Sequence, residues 1–146
     1  MRESPSFFAF PLMLSLHAIG MGLAAGINCV LALRLLGAAR TIAIAEIERF
    51  FPAMWFGFWM NTLSGIVLLI AYPTKALTNP VFYLKIALIA SALTLSLAIA
   101  RRVFAEAPAE SALVRRLAML SIACWAAAIV AGRLLAYTYS HILAGM

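Results

Sequence analysis

Residues 7–33 read FFAFPLMLSLHAIGMGLAAGINCVLAL, a run of 27 residues without Asp, Glu, Lys or Arg. About 20 apolar residues in a helix cross the ~30 Å hydrocarbon core of a bilayer, so this run predicts a transmembrane helix. It is much longer than the apolar region of a cleaved signal peptide, and we expect it to remain in the protein. Three further apolar runs follow, over about 51–72, 81–100 and 117–137.

The composition agrees with a membrane location. The chain has 146 residues, of which 66% are hydrophobic and 11% charged, and its mean hydropathy is +1.04. A soluble domain has roughly 45–50% apolar and about 25% charged residues. No segments of alternating hydrophobicity suggest barrel strands. We therefore predict a single domain over 1–146, an all-α integral membrane four-helix bundle with up-down-up-down topology.

The basic residues predict the orientation. The net charge is +6 and the pI about 10.0, but the charges lie mostly at the ends of apolar runs, which disfavours nucleic-acid binding. The two longer loops hold seven arginines: Arg34, Arg40, Arg49, Arg101, Arg102, Arg115 and Arg116. By the positive-inside rule, both termini lie on the non-cytoplasmic side. We expect a multi-pass protein of the bacterial inner (plasma) membrane.

Local signals set the expected helix ends. Pro52 lies near the predicted start of the second span, and Pro73 is expected to end that span. Asn79 and Pro80 are typical of a helix cap followed by a first-turn proline. Residues 41–51 mix apolar and charged side chains, and we predict a short interfacial helix there.

The polar residues inside the spans are few, and no Asp or Glu is among them, which disfavours a carboxylate-based proton or cation pathway. At ~1.5 Å per residue, His17, Lys85 and Arg133 lie about 6, 7–8 and 9 Å outward of their span midpoints. Three basic groups without an acidic partner would thus share one level. If they face inward together, a bound anion should supply the counter-charge.

Structural alternatives remain open at each of these positions. His17 could simply bond a neighbouring backbone carbonyl, and Lys85 and Arg133 could extend to the lipid headgroups. Asn61 and Ser64 could serve only to hold helices together.

The helical wheel divides the first span into two faces. Asn28 falls within about 20° of His17, whereas Gly22 and Gly26 form a GxxxG pair on the opposite side. The second span carries a stripe of small and polar residues: Gly57, Asn61, Ser64 and Gly65. A partner membrane protein or a second copy could pack against the four glycines of these two helices.

Two short stretches resemble known membrane proteins. Leu16-His17 in the first span, and Asn79-Pro80-Val81-Phe82-Tyr83-Leu84-Lys85 opening the third, resemble the HemJ-type protoporphyrinogen oxidases and the membrane domain of the CopD family. The run from Glu48 to Trp59 is similar to an uncharacterised bacterial family of four-helix membrane proteins, which implies no function. The chain lacks the Trp-Leu-His pattern usual before the lysine in HemJ-type proteins.

This resemblance implies a haem b site. His17 would be the axial iron ligand and Lys85 an essential cation, with Arg133 also near the haem propionates and Asn28 and Asn61 lining the site. A neutral imidazole is an accepted haem ligand. The resemblance leaves enzymatic activity open, with membrane oxidoreductase as the class to test.

Two other functions compete with haem binding or redox chemistry. One is a non-catalytic subunit or accessory protein packed against a larger complex. The other is the handling of a small solute, lipid or copper, although the seven methionines are scattered. Cys29 and Cys124 lie within spans without a neighbouring CxxC or histidine, so we expect small buried hydrophobes rather than a disulfide or metal site.

Overall fold

The computed structural model describes residues 6–105 and 111–144, and the regular structure within these ranges is helical. Four of its helices are long and apolar enough to cross a membrane, which confirms the prediction of an all-α protein with four spans. In chain order the helices are α1 (Ser6–Leu36), α2 (Ile44–Ala71), α3 (Pro73–Leu77), α4 (Pro80–Phe104) and α5 (Ala112–Ala144).

The second span begins earlier than predicted. Residues 44–51 form the first turns of α2 and continue into the span without a break, so the prediction of a separate interfacial helix is wrong. The reason is that Ile47 is buried in a core cluster, and the apolar side of this segment therefore packs on protein rather than on a lipid surface. Pro52, expected near a helix start, lies inside α2.

The other helix ends agree with the local signals. α2 ends at Ala71, and Pro73 begins the short α3, as the backbone restriction before proline predicts. The side chain of Asn79 accepts a hydrogen bond from the Val81 N–H at 3.0 Å, and Pro80 occupies the first turn of α4. The predicted cap and first-turn proline are confirmed.

The long helices pack as two pairs. α1 packs most extensively against α2, and α4 against α5; α1 also contacts α5, whereas α2 and α4 barely touch. His17 near the start of α1 meets Asn61 towards the end of α2, and Lys85 near the start of α4 lies against Gly132 of α5. Each pair is therefore antiparallel, as an up-down-up-down bundle requires. That order across a bilayer, and the side on which the termini lie, stay predictions.

Glycines permit the close approach of α1 and α2. A Cβ on Gly20 would lie 2.6 Å from the Asn61 nitrogen and 2.7 Å from the Gly57 oxygen, both backbone atoms. A Cβ on Gly57 would lie 2.5 Å from the Cβ of Leu23. Any larger residue at either position would push the two helix backbones apart.

Only two of the four glycines expected to meet a partner are open. Gly57 and Gly65 face α1 of the same chain, and a Cβ on Gly65 would lie 3.1 Å from Cε1 of His17. These two glycines are therefore occupied by intramolecular packing. Gly22 and Gly26 have nothing within 4 Å of a built Cβ.

Candidate functional site

The imidazole of His17 is held by α2. Its Nδ1 lies 3.0 Å from the backbone oxygen of Asn61 and 3.2 Å from Oγ of Ser64. A carbonyl oxygen only accepts hydrogen bonds, so Nδ1 carries a proton and donates it to Asn61. The Ser64 hydroxyl has its own acceptor, the backbone oxygen of Met60 at 2.6 Å.

Lys85 turns inward to the other nitrogen of the same ring. Its Nζ lies 3.2 Å from Nε2 of His17, which accepts the hydrogen bond because Nδ1 holds the ring proton. The lysine stem passes Gly132, where a built Cβ would lie 3.5 Å from Cε and 3.6 Å from Nζ. In this structure Lys85 therefore does not extend to the headgroups. The contact joins α1 to α4, and the lysine side chain packs against α5.

We call the group formed by His17, Lys85, Ser64 and the backbone oxygen of Asn61 the His17–Lys85 cluster. Nδ1 bonds a backbone carbonyl, as the structural alternative for this histidine expected, and Nε2 is bonded to Lys85. Gly20 positions the cluster, since its lack of a side chain lets α1 lie against Asn61.

The acidic residues that the structure describes lie far from this cluster. Glu46 and Glu48 are the acidic residues within the described helices, and both lie exposed in the first turns of α2. Glu48 is 13 residues from Asn61, which corresponds to about 20 Å along the helix. No described carboxylate is therefore in reach of Lys85.

The remaining predicted site residues are placed differently. Asn28 is buried, but it lies 11 residues, or about 16 Å, along α1 from His17, and its Nδ2 donates to the Ala24 oxygen at 2.7 Å. The Arg133 side chain is exposed on α5. Asn61 is buried and joins the cluster through its backbone, while its side-chain Oδ1 has no hydrogen-bond partner among the described residues.

A second polar group lies deeper in the α4–α5 pair. Oγ of Ser96 and Oγ of Ser121 lie 3.0 Å apart, and Nε1 of Trp125 donates to Ser96 at 3.3 Å. All three side chains are buried, and we call them the Ser96 cluster. Sequence reasoning missed the partnership of Ser121 and the indole N–H. Their spacing of four residues on one face of α5 was the signal.

Metal-ligating side chains do not gather elsewhere in the described part of the chain. Within it, no group of three or more His, Cys, Asp or Glu could hold a metal ion. Cys29 and Cys124 are free and half-buried. These observations lend no support to a copper site.

The His17–Lys85 cluster thus offers one imidazole nitrogen and one cationic donor inside a transmembrane bundle. No protein-family model, no curated protein and no solved structure matches this chain.

Proposed function

We propose that this membrane protein binds haem b through His17. The observation that carries the proposal is the hydrogen bond from Nδ1 to the Asn61 oxygen. Histidines that ligate metals usually donate their other N–H to a carbonyl or carboxylate, which fixes the ring and its tautomer. This arrangement leaves Nε2 as the nitrogen available to iron.

The surroundings of His17 fit haem in charge and access. Haem propionates are carboxylates, and Lys85 is a cation that no described carboxylate contacts. α2 and α4 barely touch, so the lipid between them is the route by which we propose that a flat ligand would reach the cluster. Lys85 now occupies Nε2, so it would have to leave this nitrogen and turn to a propionate when iron binds.

Bound haem would supply one-electron redox chemistry, whereas the protein residues would hold and orient it. His17 would hold the haem iron, Ser64 and the Asn61 oxygen would orient the imidazole, and Lys85 would neutralise a propionate. Arg133 has no part in this arrangement because its side chain is exposed.

The visible spectrum tests the proposal. We expect protein purified in mild detergent from haem-replete cells to show a Soret band that shifts on reduction with dithionite. His17→Ala should remove the band. His141→Ala is the matched control, since it changes the other histidine of the chain and should leave the band in place.

A folded but colourless protein would contradict haem binding, as would a Soret band that survives in His17→Ala. Circular dichroism and size-exclusion chromatography establish folding in each variant, so a loss of colour through unfolding is recognised separately.

A second candidate, an accessory subunit of a larger complex, is favoured by the open side of α1. Gly22 and Gly26 line an apolar groove of about 400 Å³ between α1 and the start of α2, with Glu46 at its edge. Small residues at membrane helix surfaces allow close packing of another helix. Glu46 is exposed and already forms an ion pair with Arg49 of the same helix at 3.6 Å. We therefore infer a partner helix that presents small apolar residues to Gly22 and Gly26.

Co-purification tests this second candidate. Gly22→Leu fills the groove and should abolish a stable complex, whereas Ala126→Leu introduces the same side chain at an exposed site on a different helix, α5. A complex that survives Gly22→Leu contradicts docking at this surface, and a complex made only of this chain identifies a homo-oligomer instead.

The membrane and the orientation belong to the same proposal. The arginine-rich loops support termini on the non-cytoplasmic side of a bacterial plasma membrane. A cysteine introduced beside Arg40 should react with an impermeant reagent only after the cells are broken. Labelling in intact cells would show that this loop lies outside the cytoplasm and that the orientation is the opposite one.

A further inference from the structure

Lys85 has more hydrogen-bond donors than the described residues accept. An ammonium group has three N–H donors, and His17 accepts one of them. Within the described residues, no other hydrogen bond or ion pair involves Lys85. Two donors of a half-buried cation are therefore left for a partner that is not a side chain of the described structure.

His17 does not balance the charge. Its ring is neutral when Nε2 accepts from Lys85, so the pair carries one positive charge and no negative one. Lysine inside a membrane is costly unless it is paired or hydrated. The nearest described carboxylate is about 20 Å away along α2. An anion at Nζ would supply both the missing charge and the missing acceptors.

The location suits an amphiphile better than a free ion. Lys85 is five residues from the start of α4, or about 7–8 Å below it, and next to it Leu84 and Ile86 are exposed on the helix surface. An apolar tail can lie along these side chains while its head group enters between α2 and α4, the pair of helices that barely touch.

We infer that Lys85 binds the carboxylate or phosphate head group of an anionic amphiphile that enters between α2 and α4. The inference rests on the site of the proposed function, because haem propionates belong to this chemical class, but it needs no iron ligand. His17 acts as a positioning residue: it holds the ammonium over Gly132 instead of letting it extend to the membrane surface.

Binding is measured on the full-length protein in dodecyl maltoside, with dodecanoate and dodecyl phosphate as probes. The readout is the shift of the thermal unfolding midpoint with probe concentration. Dodecyltrimethylammonium, with the same tail and the opposite charge, controls for detergent effects. Inorganic phosphate tests whether the head group suffices without a tail.

Lys85→Met should weaken binding of the anionic probes about tenfold or more, since a charge-assisted contact is lost. Arg133→Met is the matched control, because Arg133 lies next to Gly132 but is exposed, and it should bind as the natural protein does. Lys85→Arg keeps the charge and should retain most of the affinity, which separates loss of the cation from misfolding.

Equal binding by Lys85→Met and the natural protein overturns the inference. If inorganic phosphate shifts the unfolding midpoint as much as the anionic probes do, the ligand needs no apolar tail and is not an amphiphile. If dodecyltrimethylammonium shifts it as much, the ligand need not be an anion, and the inference is wrong. A stronger response to dodecanoate than to dodecyl phosphate, or the reverse, identifies the head group. In His17→Ala, anion binding should weaken, because the ammonium is no longer held over Gly132, but it should not be lost as in Lys85→Met. Anion binding without a Soret band would therefore contradict the haem proposal and leave this inference standing.

Discussion

Polar side chains lie inside this bundle at two levels, and the two groups they form are built on opposite principles. The His17–Lys85 cluster and the Ser96 cluster are about 16 Å apart along α4, since 11 residues separate Lys85 from Ser96. In the Ser96 cluster the indole N–H and the two hydroxyls find acceptors or donors within the cluster. In the His17–Lys85 cluster a cation keeps two unused donors, and no described carboxylate faces it.

The difference separates a structural group from a candidate site. In a neutral cluster every side chain has a hydrogen-bond partner and no charge needs compensation, so we assign the Ser96 cluster the role of joining α4 to α5. A charged, unsaturated cluster is less stable alone than with an anion, because a buried charge without a partner is unfavourable. Removing side chains of the Ser96 cluster should therefore destabilise the protein, whereas removing Lys85 from the His17–Lys85 cluster should affect ligand binding.

Trp125→Ala should have the largest effect on stability. The indole is 1% exposed, and its removal leaves a cavity next to Ala24 and Ala92 and deprives Ser96 of a donor. We expect a loss of about 3 kcal/mol in the free energy of unfolding, measured by titration with a denaturing detergent. Ligand binding by the folded fraction should be unchanged. If folded Trp125→Ala protein lost ligand binding, the Ser96 cluster would not be purely structural.

Lys85→Met should stabilise the protein while it weakens ligand binding. Methionine fills a similar volume beside Gly132 without a charge, and replacing a buried charge by an apolar residue is often stabilising. The expected gain without ligand is about 1 kcal/mol, by the same titration. Lys85→Arg, which retains the charge, serves as the control. Destabilisation by Lys85→Met alone would mean that the lysine has a structural role.

Ser121→Ala should have the smallest effect. It removes one hydroxyl, but Ser96 keeps its hydrogen bond from Trp125. Side-chain hydrogen bonds between membrane helices contribute on average about 0.6 kcal/mol, and we expect a loss of this size. Ser91→Ala, at an exposed hydroxyl of α4, should be neutral. A loss above that of Trp125→Ala would show that the hydroxyl pair, rather than indole packing, holds α4 to α5.

Much of the fold could be predicted from local sequence. Run lengths gave the four spans, and Pro73, Asn79 and Pro80 marked helix ends, because these signals act within a few residues. The start of α2 was misjudged because Ile47 is buried by residues distant in sequence, which no local pattern reveals.

The candidate site was only partly predictable. Helical rise placed His17 and Lys85 at one level, and the structure brings them into contact. The helical rise could not show that Lys85 turns inward while Arg133 is exposed, nor that Asn61 acts through its backbone. Such choices depend on the rotation and spacing of neighbouring helices.

The sequence by itself determined that this protein has four helices able to cross a membrane, their approximate limits and the position of each basic residue along its helix. These properties follow from hydropathy and from a fixed rise per residue. Only the tertiary structure decided that Gly20 and Gly57 close the α1–α2 contact while Gly22 and Gly26 stay open, and which nitrogen of His17 meets Lys85. The physical reason is that a lipid-exposed and a helix-packed glycine look alike in sequence, and only the approach of a neighbouring backbone distinguishes them.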